Sequence, residues 1–552
     1  MKRHVVTALI IGCTALVLAG TGYNVRTEPA QTDEVLTAPK AINPLPIAEL
    51  IYNGRSDSAL AILDAPEYAG SSDPLVYLLR ARALRDQLDD EDDSKDPIKQ
   101  DAQPILAQID TAITLSEQAL EHDASDPIYH YYRGRAYLGR AQIQTITRSY
   151  WGAGRSAGHA KSSLEKFLKL EPDNADAQGD LGLFLYFADT LPGVVKFMSK
   201  LLHFPSGNRE RGLEMLQYAS THEAIFYFDY RAAVAVIDIL FEGRFPEGTA
   251  RMVQMINDFP QHTRLVEPLG VLSPLDPLNI RAFEILENRA VETRQNMVDA
   301  MPLRNLVERI GVHRAYTDMY FRSPNSALES FTAFLEDPID RPDWAVPLAL
   351  INRGQLYAKS GRTDEALVDF GVVLSGEEMG HFHDLAKTMI NSLSEPWKVI
   401  DLDDLEFIAA IYDGNLETAE AGLKEYGRIY GRDVIYYFYL GEIEVFAQDF
   451  ARAKRAYETC LSIRVKGGDQ SYQMLSALRL AEILGQEEKY GDAKSYVAKA
   501  RGYVHVGFLF DFMIHSREHY FELMDKGTLT TPSPLLVKKP ANGSGSSQAV
   551  SQ

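Results

Sequence analysis

Cysteine is almost absent. The 552-residue chain holds two, Cys13 and Cys460, and Cys13 lies inside an N-terminal apolar run. A mature chain keeps Cys460 alone, which excludes an internal disulfide and leaves stability to packing. Basic charge is also scarce: 56 Lys and Arg stand against 77 Asp and Glu, a formal net charge of -21. Nucleic acid is therefore not expected as a partner, because phosphate binding needs a basic surface. The acidity favours solubility and repulsion of anionic surfaces. No convincing series of alternating strands is present. Neither a phosphate-cradling glycine loop nor a Ser/His/Asp set can be picked out. No catalytic residue, no cofactor, no metal and no small-molecule substrate are predicted.

What is present begins with an address. Lys2, Arg3 and His4 form a basic start, Val5 to Ala19 is almost wholly apolar, and Gly20-Thr21-Gly22 is small. This tripartite pattern predicts a secretory signal over residues 1–22, cleaved near residues 19–22. An uncleaved anchor is the alternative, since the run of about 18 apolar residues just spans a bilayer. No cysteine follows Leu18-Ala19-Gly20, which argues against a lipid anchor. Export to a periplasm or cell envelope is expected either way. Residues 23–46 are polar with several prolines and read as a flexible linker. Residues 527–552 are rich in Pro, Gly and Ser and read as a disordered tail.

Between them the chain reads as helical and repetitive. In "LINRGQLYAKSGRTDEALVDF", residues 350–370, Gly354 is followed by Tyr357, Gly361, Ala366 and Phe370. Small Gly354 and Ala366 allow two helix backbones to approach, Tyr357 and Phe370 fill the space between helices, and Gly361 permits the turn. The spacing resembles the tetratricopeptide (TPR) pattern of two antiparallel helices. It recurs at Leu440-Gly441, Ala453 and Tyr457, at Leu480, Ala493 and Ala500, and more weakly at Gly414, Ala419 and Leu423. Ala419 and Ala453 are one TPR period apart. Further matches start at Asn53, Gly243 and Ser323. The reading is an all-α, TPR-like helical-hairpin solenoid. It comprises an N-terminal array over 47–260, an irregular helical connection with one degenerate repeat over 261–340, and a C-terminal array with a capping helix over 341–526.

Two hairpins are lengthened. Gly134 and Ala160, and then Gly182 and Gly212, are much further apart than Gly354 and Ala366. They are expected to project together. Within the second, Leu191-Pro192, an apolar helix, and Asn208-Arg209-Glu210 leading into Gly212-Leu213 make residues 181–219 similar to the inclusion-body-clearance family of TPR proteins and bacterial relatives. That resemblance implies an adaptor without catalytic residues and gives no substrate. Val194 to His203 puts its apolar residues on one face, which suits burial against the neighbouring hairpin or a membrane surface.

Several constellations could carry metal chemistry. His515, Glu518 and His519 spell H-x-x-E-H, the signature of inverzincin peptidases, in which two His hold zinc and the Glu acts as base. The third ligand is missing: Glu522 and Asp525 lie too near on the same helix. A cap on the last repeat is the simpler reading. His381, His383 and Asp384 read as a loop or helix start. The acids of residues 401–406 read as a helix N-terminus, where they favour the dipole. The acidic run Asp86–Asp96 reads as a solvated loop or a docking site for a basic partner.

In TPR proteins the first helix of each repeat lines a groove. The resemblance therefore implies groove positions at Tyr131, Arg135, Ile351, Gln355, Phe438 and Glu442, beside the small residues. Tyrosine suits recognition there, and the alternative is that these rings pack between repeats. The expected function is an exported scaffold that binds a peptide or amphipathic helix, without catalysis. A membrane-peripheral adaptor docking through the 140–210 hairpins and a zinc-dependent hydrolase are the other readings.

Overall fold

The computed structural model describes residues 42–86, 97–147, 149–190, 206–242, 244–259, 311–312, 314–336, 345–376, 381–394, 397–465, 470–505 and 508–527. Among the described residues there is no strand. They fall into two compact units, one of residues 42–239 with 246–259, the other of residues 240–245 with 311–527. No described helix is long and apolar enough to cross a membrane.

The first unit runs α1 (Pro44–Tyr52), α2 (Ser56–Leu63), α3 (Pro74–Asp86), α4 (Pro97–His122), α5 (Pro127–Ile146), α6 (Tyr150–Leu170), α7 (Ala175–Thr190), α8 (Arg209–Thr221), α9 (Tyr227–Leu240) and α10 (Phe245–Asp258). Helix α1 corrects the linker boundary, since residues 44–46 are helical. Pro44 occupies the first turn, where a missing N–H costs no hydrogen bond and the ring pre-sets φ.

The second unit has a helical stretch over 314–321, followed by α11 (Pro324–Glu336), α12 (Ala345–Lys359), α13 (Thr363–Ser375) and α14 (His381–Ser392). A 3-10 turn, Leu402–Leu405, leads into α15 (Phe407–Tyr412), α16 (Leu416–Tyr430), α17 (Val434–Phe446), α18 (Phe450–Ser462), α19 (Ser471–Gln486), α20 (Tyr490–Ala500) and α21 (Phe508–Asp525).

Successive helices pair as hairpins, and each second helix also packs on the first helix of the next hairpin, as α4 does on α3 and α5 and α18 on α17 and α19. First helices stack on first helices: α3 on α5, α5 on α7, α17 on α19. The sequence dictates the two kinds of helix. Second helices bury one stripe, as Ala419, Leu423 and Tyr426 do in α16 and Ala493, Val497 and Ala500 in α20, and leave the other face to water. First helices are enclosed on most sides; α19 is buried without a break from Ser471 to Gly485. Asp126, Asn415, Asp433 and Asp449 cap α5, α16, α17 and α18 through side-chain bonds to the first-turn amides, satisfying donors with no helical partner.

The lengthened hairpins are real in α5 and α6, of 20 and 21 residues. In the next, α7 and α8 meet at Gly182 and Gly212: a Cβ on Gly212 would stand 2.6 Å from the Tyr186 backbone N and 2.8 Å from the Gly182 carbonyl O. In the second unit the Phe370 ring lies over Gly354, where a Cβ would stand 2.6 Å from it. The fold is an all-α, TPR-like array of helical hairpins.

Candidate functional site

Helices enclosed on most sides that carry charged residues must pair those charges internally, because a lone buried ion is costly. In the first unit the pairing draws on α3, α5, α7 and α9. The Arg82 guanidinium on α3 holds both oxygens of Asp229 on α9, with Nη2 donating to Oδ1 at 2.9 Å and Nε reaching each oxygen at 3.2 Å. Arg135 on α5 donates to the other side of Asp229 at 3.3 Å, to Asp180 on α7, and to the Tyr230 hydroxyl at 3.2 Å. The Tyr230 hydroxyl donates to Asp180 at 2.8 Å. The guanidinium of Arg135 lies 3.4 Å from the centre of the Phe226 ring. Asp176, one turn before Asp180, accepts from the Ile225 and Phe226 amides at 2.8 and 2.9 Å and so fixes the entry to α9.

The two aspartates that touch Arg135 are tuned in opposite directions. Burial works against the charge on Asp229, but Arg82 and Arg135 hold its pKa at about 2. At Asp180 burial wins: with the Asp176 carboxylate nearby, its pKa is pushed up to about 6 despite Arg135. Burial also raises Asp176. Burial opposes the charge on Arg135, and Asp180 is the largest influence restoring it, well above the ordinary arginine value.

Next to this network is a partly open cavity of about 60 Å³, with space for roughly four water-sized groups. Its polar end is formed by Arg82, Arg85, Arg135, Gln142 and Asp229, and its walls include Leu138, Leu183 and Ala232. Arg85 Nη1 donates to Gln142 Oε1 at 2.7 Å, which fixes the two side chains against each other in the cavity wall. Cations beside apolar walls can receive a carboxylate or carbonyl together with an apolar side chain.

The six positions expected to line a groove separate here. Arg135 lines the cavity. The other five are corrections: Tyr131, Ile351, Gln355, Phe438 and Glu442 are buried. The first helix meets neighbours on nearly every side, so the position beside the small residue faces another helix instead of solvent. Tyr131 packs 5.5 Å from the Phe167 ring, Gln355 faces the Met389 sulfur, and Phe438 sits 5.5 Å from the Tyr472 ring. Arg82, Arg85, Asp180 and Asp229 carry no local motif that marks them in the sequence. The one available signal was charge on otherwise apolar first helices.

Glu442 belongs to a second buried network, in the C-terminal unit. Arg479 holds both its oxygens at 2.9 Å. The Tyr412 and Tyr457 hydroxyls donate to it at 2.7 and 2.6 Å. Arg479 also reaches Glu482 at 3.0 Å, and Glu482 accepts from Arg517 at 2.8 Å. Glu442, Tyr457, Arg479, Glu482 and Arg517 are buried and Tyr412 is half-buried, so the network ties α15, α17, α18, α19 and α21 together.

Of the metal candidates, Glu518 is engaged by Arg501 at 2.5 Å, and the His515 side chain lies outside the described residues. His381 begins α14. Asp401 caps the 3-10 turn that follows. Residues 1–41, 87–96 and 191–205, which include the expected secretory signal, the body of the acidic run and the Val194–His203 segment, lie outside the described residues.

No family model matches the chain, and no curated protein matches it. Among solved structures the chain is similar to the TPR domain of P58(IPK), at 14% identity over 79% of this chain and 99% of that one, TM-score 0.19. It is similar also to Scc4 in its complex with Scc2n, at 10% identity over 84% and 90%, TM-score 0.29, and to yeast Tom70, at 12% identity over 79% and 95%, TM-score 0.17. The fold assignment rests on the helix pairing: the chain is a TPR-like helical-hairpin repeat protein.

Proposed function

We propose that the protein is an exported, non-catalytic scaffold of the cell envelope that binds a segment of another protein. The observation that carries this reading is the arginine-lined cavity of the first unit. It combines Arg85 and Arg135 with the apolar walls of Leu138 and Leu183, which suits an acidic or carbonyl-rich peptide bearing an apolar side chain. The basic start and apolar run of residues 2–19 support the envelope placement.

A photo-crosslinker at Gln142 tests the site in the native envelope. The expected result is a discrete adduct with a protein, lost when Arg85→Glu is added and absent with the crosslinker at Glu458 on α18. Equal adducts at both positions, or adducts indifferent to Arg85→Glu, refute the cavity as the binding site. Fractionation of the cells tests the location: recovery in the cytoplasm refutes export.

A further inference from the structure

The outer face of α6 departs from the acidic character of the chain. Residues 127–164 hold Arg133, Arg135, Arg140, Arg148, Arg155 and Lys161, with no aspartate or glutamate. At 3.6 residues per turn, Trp151, Arg155, His159, Ser162, Lys166 and Lys169 fall within about 100° of arc on α6, and all six are exposed. Trp151 is 61% exposed at the start of the helix and Leu170 56% exposed at its end. Among the described residues Arg155, Lys166 and Lys169 make no ion pair. The one acid bordering the face, Glu165, has Lys161 at 3.9 Å. The buried side of the helix, with Ala153, Ala160, Leu164 and Phe167, is already packed; on the exposed side the His159 ring stacks on Tyr137 at 4.8 Å, while Arg155, Lys166 and Lys169 face water.

We propose that this face docks α6 flat against an anionic phospholipid surface, with the three cations over the headgroups and Trp151 at the interface. Charge complementarity favours that occupant: the chain carries a net charge of -21, and this stripe carries the opposite sign. The exposed indole favours lipid over an acidic protein, because tryptophan partitions to the boundary between headgroup and hydrocarbon. Each lysine or arginine near such a surface strengthens binding roughly fivefold, so three give about a hundredfold before the repulsion of the remaining chain. The inference is independent of the peptide cavity, which α6 does not line.

The test uses residues 23–552, which retain every described helix and lack the apolar leader. Binding is measured to vesicles of phosphatidylethanolamine with about one-third phosphatidylglycerol, and to phosphatidylcholine vesicles, by co-sedimentation and tryptophan emission. The expected result is at least tenfold tighter binding to the anionic vesicles, with a blue shift absent in Trp151→Phe. Joint Arg155→Glu, Lys166→Glu and Lys169→Glu removes it with unchanged circular dichroism. A matched triple elsewhere, Lys424→Glu, Arg455→Glu and Lys499→Glu, changes net charge equally and leaves most binding intact. The proposal is overturned by equal binding to both vesicle types, by equal loss in the two triples, or by poly-glutamate bound as tightly as the anionic vesicles.

Discussion

Replacing Asp229 by asparagine removes the anion between two arginines while keeping its shape. Arg82 grips both Asp229 oxygens and Arg135 shares one of them, Oδ2, and the paired side chains of Arg82 and Asp229 are 4% and 12% exposed. Removing one member of a buried ion pair costs about 3–5 kcal/mol, because the remaining charge stays buried. The lowered pKa leads to a similar figure. The pKa of Asp229 is held at about 2, from 3.8, which corresponds to about 2–3 kcal/mol. We expect Asp229→Asn to lose about 3 kcal/mol from the first unit. That is roughly 6–12 °C in melting temperature for a unit of this size, measured by calorimetry or circular dichroism at pH 7. The sign of the pH dependence follows from the lowered pKa: the contribution is complete above the unfolded carboxylate range and is lost as pH falls through about 2. The gap between wild type and variant should therefore narrow below pH 4. A loss under 1 kcal/mol, or a gap that widens in acid, would show that Asp229 does not hold α3, α5 and α9 together.

Three other outcomes can be measured. Asp180, pushed up to about 6, acts in the opposite sense: the folded state keeps a proton the unfolded chain has released, so stability falls by about 3 kcal/mol as pH rises from about 4 to 6. Asp180→Asn should flatten that limb of the stability profile. Gly212→Ala should cost about 1–3 kcal/mol in urea titrations, because the new Cβ meets backbone on α7 that cannot rotate away. Gln448 has φ 63° in the turn before α18, where a side chain is strained by about 1–2 kcal/mol. Gln448→Gly should raise stability by about 0.5–1 kcal/mol after the entropy glycine loses on folding.

The sequence alone determined the repeat class. The small-then-aromatic spacing of Gly354 and Phe370 is a local packing rule, legible because the two helices of a hairpin are close in the chain, and Phe370 does cover Gly354. The polar site follows no such rule. Arg135 stands out beside Gly134, but the residues that define its role stand 45 and 94 positions away, at Asp180 and Asp229, and Arg82 and Asp229 are 147 apart. Local spacing cannot say which distant first helix will lie alongside α5, so neither the pairing nor the opposite pKa shifts of the two aspartates could be read from it. The same limit explains why Phe438 and Glu442 pointed toward a groove on paper and are buried in the fold. Periodicity locates a side chain on a helix face, and only the stacking of first helices decides whether that face meets water or protein.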